Sequence, residues 1–168
     1  MGLKEYLFSL STTELQVLID KPDRRGRTPL ALAVEHCWTA PALILLEFGA
    51  DVNQRQYSMN GTSTPLLHLA IAGEGHVQDI IEITQLMIKH GADVNGADDE
   101  GWTPLHIAAS WHQLETIKLL AKVPGLDWHV RTTDSKNVLD LARDANDVPN
   151  DDIFPHVEAF LISHIANN

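Results

Sequence analysis

The residues with chemical reach are nine histidines, one cysteine and a dense set of carboxylates. Histidine and cysteine can hold zinc or run nucleophilic catalysis, and paired carboxylates can do acid–base work. The spacing argues against each. No His-x-x-x-His pair occurs, and His106 and His112 are six residues apart, off one helical face. His36 and Cys37 are neighbours on one predicted helix, so their side chains point apart and cannot chelate together. Cys37 is the only cysteine, which excludes an intrachain disulfide and a Cys-based zinc cage. A small buried cysteine is also commoner than an activated one. There is no G-x-S-x-G and no phosphate-binding glycine loop; Gly73-Glu74-Gly75 lacks the preceding strand and the lysine. Asp98, Asp99 and Glu100 run together, either as a solvated tip or as a contact for a basic partner. The chain is read as non-enzymatic, with no metal and no cofactor.

Composition narrows the partners. The 168 residues suit about one domain, 44% apolar and 21% charged, within the globular range. A net charge of −11 and a pI near 5.1 repel phosphate, so nucleic acid is excluded and a basic protein is the natural partner. Unbroken apolar runs fall well short of the roughly 20 residues of a membrane helix. The opening MGLKEYLFSL has no basic start, long apolar core or cleavage site, and Tyr6 stands where myristoylation wants Ser or Thr. Asn60-Gly61-Thr62 is then a turn, and the expected location is cytoplasmic.

The elements that position these residues recur. Thr28-Pro29-Leu30, Thr64-Pro65-Leu66 and Thr103-Pro104-Leu105 are three copies of one tripeptide. Gly49-Ala50-Asp51-Val52-Asn53 and Gly91-Ala92-Asp93-Val94-Asn95 are two copies of a pentapeptide, worn to Gly125-Leu126-Asp127-Trp128-His129 in a third. Thr caps free backbone N–H groups and Pro fits the first helical turn. Leu30, Ala33 and Val34, then Leu105, Ala108 and Ala109, lie on the helical period. A second, fatter helix follows each: Leu43 to Leu46, then Ile83, Leu86, Met87 and Ile88, then Ile117, Leu119 and Leu120. Gly49 and Gly91 close it in the left-handed conformation.

This alternation resembles the ankyrin repeat family, a unit of about 33 residues carrying T-P-L-H-x-A, which Thr103 to Ala108 matches at every fixed position. The second unit departs. Gly49 to Thr64 is 15 residues where Gly91 to Thr103 is 12, so its hairpin is about three residues long of the pattern. Thr64 to Gly91 is 27 where Thr28 to Gly49 is 21, which places about six extra residues around Gly73-Glu74-Gly75-His76. The resemblance implies an all-α solenoid of stacked helix-turn-helix units with β-hairpin or loop tips. The expected units are an N-terminal cap at 1–22, repeats at 23–55, 56–97 and 98–131, and a C-terminal capping repeat at 132–168. Leu3–Leu10 and Ser11–Ile19 read as the first cap's helices, with Ser11 and Glu14 as a capping box. The last cap keeps Val138, Leu139 and Leu141, then an acidic linker at 146–152 and a helix from Pro155 to Ile165 with Val157, Phe160, Leu161 and Ile165 inward. Altered ends are what a stack needs to cover its apolar faces. Since the chain opens at Met1 and ends soon after this cap, no further domain is expected.

The resemblance also implies where a partner sits: on the hairpin tips and the exposed side of the first helices. By position these are Arg24, Arg25 and Arg27 at the first tip, and Gln56, Tyr57, Ser58 and Met59 at the second. At the third they are Asp99, Glu100 and Trp102, with His36, Ser110 and Trp111 on the helices. His106 is then a hydrogen-bonding residue tying loops, and His68 its counterpart shifted by one. Trp128 replaces the Val of the pentapeptide and packs between units, while Trp38 is placed half-buried. Trp102 and Trp111 either anchor a partner or lie on their neighbours to shield the core. Lys21 and the three arginines make a basic first tip; from Asn137 onward Arg143 faces six carboxylates. That layout either orients a partner or keeps an acidic protein soluble. The expected function is a non-catalytic protein-binding module, monomeric when free. The alternatives are an inhibitor or immunity-type protein blocking a basic enzyme or toxin, and an adaptor in an assembly.

Overall fold

All three Thr-Pro-Leu copies sit at a helix start in the computed structural model, but one of them works differently. The structure describes residues 2, 5–6, 10–57, 61–73, 75–144 and 153–166. The chain falls into two compact units, Met1–Ala92 and Asp93–Asn168.

In the first unit, α1 (Thr12–Ile19) starts with the expected capping box: the Glu14 carboxylate accepts the Ser11 N–H at 3.0 Å and Ser11 Oγ accepts the Glu14 N–H at 3.4 Å. Of the helix expected at Leu3–Leu10, Glu5 and Tyr6 are helical, and residues 3, 4 and 7–9 lie outside the described residues. Helix α2 (Pro29–Glu35) opens as Thr-Pro predicts, with Thr28 Oγ1 accepting the Ala31 N–H at 3.1 Å. Helix α3 (Thr39–Glu47) ends at Gly49, whose φ is +91°, and the Ala50 N–H returns to the Leu45 carbonyl at 3.0 Å.

The lengthened tip follows as a hairpin, β1 (Arg55–Tyr57) antiparallel to β2 (Ser63–Pro65), pairing Arg55 with Pro65, Gln56 with Thr64 and Tyr57 with Ser63. Here the Thr-Pro expectation fails. Thr64 and Pro65 are spent on the strand, and α4 (Leu66–Ile71) begins after Pro65 with no side-chain cap. The longer hairpin carries extended backbone through Pro65, so the helix starts one residue late. That delay accounts for His68 lying one position beyond the His106 register, and His68 is buried. Helix α5 (Val77–Lys89) is the long member of the unit at 13 residues. Helix α2 packs on α3 and α4, and α5 packs on α3 and α4. Leu30, Val34, Ala42, Leu66, Ala70, Ile71, Ile83 and Met87 are fully buried between them.

In the second unit, α6 (Pro104–Ser110) packs on α7 (Leu114–Leu120) and α8 (Val138–Asp144), and α8 packs on α9 (Phe154–Ile165). Thr103 caps α6, and its backbone N–H donates to His106 Nδ1 at 3.2 Å. A backbone N–H is always a donor, so Nδ1 is unprotonated and the ring proton is on Nε2. Where Thr-Pro is missing, Asn137 and Asp140 replace it by exchanging side chain to backbone N–H bonds of 3.0 and 2.9 Å. Val157 and Leu161 of α9 are buried, whereas Phe160 and Ile165 are half-buried rather than fully inward. The acidic linker 146–152 lies outside the described residues.

The pentapeptide does one job in both units. Asp51 and Asp93 each accept the N–H of the Asn two residues on, at 2.9 Å. Asn53 Nδ2 then donates to the Gly91 carbonyl at 3.0 Å, and Asn95 Nδ2 to the Gly125 carbonyl at 2.8 Å. Each Asn thereby ties its turn to the next glycine cap along the chain.

Candidate protein-interaction surface

The first tip is built by one carboxylate. Asp23 Oδ1 accepts the N–H groups of Arg25 and Arg27 at 2.8 and 2.9 Å, and Oδ2 pairs with the Arg27 guanidinium at 3.0 Å. The backbone closes with Asp23 N–H on the Arg27 carbonyl at 2.8 Å, and Gly26 takes φ +79°. The Arg27 N–H bond holds the Asp23 carboxyl below its ordinary value, so it is a carboxylate here. Arg27 also approaches Glu35 at 3.6 Å. It is half-buried and structural, whereas Arg24 and Arg25 stand at the bend with exposed side chains.

Asp98 repeats the device at the third tip, accepting the N–H groups of Glu100 and Trp102, each at 2.9 Å. Asp99 and Glu100 are exposed, and the Glu100 carbonyl takes the Thr133 N–H at 2.9 Å. Gly101 is needed twice over. Its φ is +77°, and a Cβ there would stand 3.0 Å from the Thr133 nitrogen.

The aromatic candidates separate. Trp111 and Tyr57 are each 61% exposed. Trp102 departs from the expected exposure: it is half-buried and meets His106 edge-on, with ring centroids 6.5 Å apart, because the Asp98 turn folds it back over α6. Trp38, expected half-buried, is 55% exposed and leans on the exposed ring of His36 at 5.1 Å. Trp128 is buried as expected, stacked on His164 at 5.2 Å. Ser110 is half-buried, and its hydroxyl donates to the Ile107 carbonyl of its own helix at 3.0 Å. Met59 lies outside the described residues.

His36 and Cys37 are not on one helix: His36 ends α2 and Cys37 turns the chain at φ +53°. That turn aims Cys37 at the segment between α4 and α5, where a Cβ on Gly73 or on Gly75 would stand 2.9 Å from its sulfur. Burial pushes the thiol above its ordinary value, against a bond from the Gly75 N–H. His112 takes the matching turn at φ +51°; its Nε2 lies 2.8 Å from the Ala142 carbonyl and its ring 5.2 Å from Phe154. Cys37 and His112 each follow the last residue of a Thr-Pro-Leu helix by the same interval, so their shared position is legible in the sequence. Among the described residues, no His, Cys, Asp and Glu side chains gather into a group able to hold a metal. No helix among them is long and apolar enough to cross a membrane.

Residues 57–132 match the family model of ankyrin repeats (three copies). Among curated proteins, the chain is 27% identical over 147 residues to an ankyrin repeat protein of fowlpox virus, covering 84% of this chain and 38% of that one. It is 35% identical over 113 residues to regulatory subunit 12A of protein phosphatase 1 from Mus musculus, covering 67% and 9%. It is 35% identical over 114 residues to mouse Rabankyrin-5, covering 62% and 9%. The chain thus spans well under half the length of each of these relatives. Ankyrin repeats are generally protein–protein interaction modules and generally non-catalytic. With the Thr-Pro-Leu helices, the glycine caps and the Asn ties in place, the chain is an ankyrin-repeat protein, its repeats matched over residues 57–132.

Proposed function

We propose that the chain is a non-catalytic binding module that engages another protein through the concave face and tips of an ankyrin solenoid running from the cap at 1–22 to the cap at 132–168. The observation that carries this is the exposure of Trp111 and Tyr57, each 61%, inside the matched repeats. A wet indole and phenol hold large apolar area ready for burial, and interface hot spots favour such residues. His36, with Trp38 leaning on it, adds a third exposed aromatic site. Trp102 and Ser110 support from behind rather than anchor. Asp99 and Glu100, exposed in a chain of net charge −11, suit a basic surface on the partner. The module is monomeric when free and works in the cytoplasm.

Capture of tagged protein from native lysate tests this, run beside a Trp111→Ala/Tyr57→Ala variant with circular dichroism confirming its fold. A stoichiometric partner lost in the variant supports the reading; equal capture in both overturns the placing of the face. A second reading, a regulatory subunit that blocks or directs an enzyme, is favoured by the likeness to a phosphatase regulatory subunit. Inhibition of the captured partner at one-to-one ratio separates a blocking role from an adaptor.

A further inference from the structure

The first tip carries charge of the wrong sign for the rest of the molecule. Between Asp20 and Arg27 four cations meet two carboxylates, in a chain of net charge −11. The structure sorts those cations. Asp23 is saturated by the turn's own N–H groups and by Arg27, so it neutralises nothing further. Among the described residues, Lys21, Arg24 and Arg25 enter no ion pair, and all three are exposed. The hairpin supplies a neighbour: a Cβ on Gly26 would stand 3.9 Å from the Tyr57 carbonyl, and the Tyr57 side chain is exposed. Arg55 of the same strand is spent on the hairpin, its guanidinium donating to Ser63 Oγ at 2.9 Å and to the Ser63 carbonyl at 3.0 Å.

We infer that this tip binds a short acidic peptide segment of the partner, its carboxylates held by Arg24, Arg25 and Lys21 and its backbone or an apolar side chain laid on Tyr57. The inference deepens the binding-module reading and rests on it. Two features favour this occupant. Guanidinium forks held on a braced turn match carboxylates with two parallel bonds. Screening also limits the occupant's length. At physiological salt charges are felt over about 8 Å, so a short segment senses the local cations, while an extended polyanion such as nucleic acid meets the acidic remainder and is repelled.

The test is fluorescence anisotropy at low salt with three labelled probes: an oligo-glutamate peptide, an oligo-lysine of equal length and a single-stranded oligonucleotide. Oligo-glutamate should bind, and Arg24→Ala/Arg25→Ala should weaken it about tenfold, since two exposed charge contacts are lost. Tyr57→Ala should weaken it a few-fold. Both arginines are exposed at the bend, so the variant keeps its turn, which circular dichroism checks. Unchanged oligo-glutamate affinity in the arginine variant, no binding of oligo-glutamate at all, or tighter binding of the oligonucleotide overturns the inference. The peptide assay reads this tip, whereas capture with Trp111→Ala alone reads the binding-module proposal, so either can fail without the other.

Discussion

Cys37 and His112 occupy the same place in two helix pairs and do different work there. Each sits just past the Thr-Pro-Leu helix at a φ near +50°, and each sets its side chain against the following helix pair. Cys37 meets the widened connection between α4 and α5, where Gly73 and Gly75 come so close that a methyl group on either would collide with the sulfur. His112 meets the end of α8 and the start of α9, with a 2.8 Å contact to the Ala142 carbonyl and Phe154 against its ring. A small side chain at this turn admits an inserted loop that brings two glycines against it. A large polar one reaches out to hold a cap whose own connection is long. The turn residue is chosen by what must arrive next to it, and a non-glycine φ > 0 is kept because that contact repays the strain.

Breaking the His112 side should have the largest effect. His112→Ala removes the partner of a carbonyl in a buried setting and leaves a void beside Phe154, costing about 3 kcal/mol. Urea unfolding should show it, with the midpoint lowered and α9 the first element to lose amide protection. A loss below about 1 kcal/mol would mean the imidazole covers α8 and α9 without holding them.

The Cys37 side breaks by addition rather than removal. Gly75→Ala places a methyl group 2.9 Å from the Cys37 sulfur, 3.1 Å from its Cβ and 3.2 Å from the Asp79 Cβ. Overpacking of that kind costs about 2 kcal/mol. Cys37→Ala in the same chain should return part of it by clearing the sulfur, though not the Cβ contact. A double-mutant cycle reads the coupling, and simple additivity would show that the loop yields elsewhere.

These two contacts also mark where the sequence stopped being legible. The Thr-Pro-Leu and Gly-Ala-Asp-Val-Asn motifs act through neighbours a few residues away, so the helix starts at Pro29 and Pro104, the glycine caps and the Ser11–Glu14 box are readable from spacing alone, while the second copy is spent on a strand. The insertion around Gly73 was countable too, but its role was not. Its glycines are explained by Cys37, 36 and 38 residues earlier in the chain. The tip arginines looked alike in sequence, and only the Asp23 turn separates Arg27 from Arg24 and Arg25. Trp102 and Trp111 likewise share a pattern but part company once the Asp98 turn folds Trp102 over α6. Sequence distance hides the Cys37 contact, whereas the Asp23 and Asp98 turns are local but carry no repeated motif that spacing picks out.

The two Thr-Pro-Leu starts sharpen the same comparison at smaller scale. Thr28 Oγ1 accepts a helix N–H, so Thr28→Ala should cost about 1 kcal/mol. Thr64 lies in β2 opposite Gln56 and caps nothing, so Thr64→Ala should cost only a few tenths, the scale of a strand-propensity change. Thermal unfolding of the pair decides it. Equal losses would mean that the second helix uses its threonine after all, and that the longer hairpin did not shift the helix start.

One further change should have the opposite sign. Thr84 lies on α5 with its side chain fully buried, and its Oγ1 has no hydrogen-bond partner among the described residues. An unmet buried hydroxyl carries a desolvation cost, while Val has the same shape and none of that cost. Thr84→Val should therefore stabilise the protein by about 0.5–1 kcal/mol, visible as a higher urea midpoint at unchanged slope. The site also sharpens the contrast between the two turns, because α5 begins straight after the loop that Cys37 receives. If Thr84→Val and Gly75→Ala combine additively, the loop and the helix behind it settle independently. If the stabilisation disappears when Gly75 is replaced, the loop's seat on Cys37 is what sets the depth at which α5 packs, and the glycines are there to position the helix as much as to spare the sulfur.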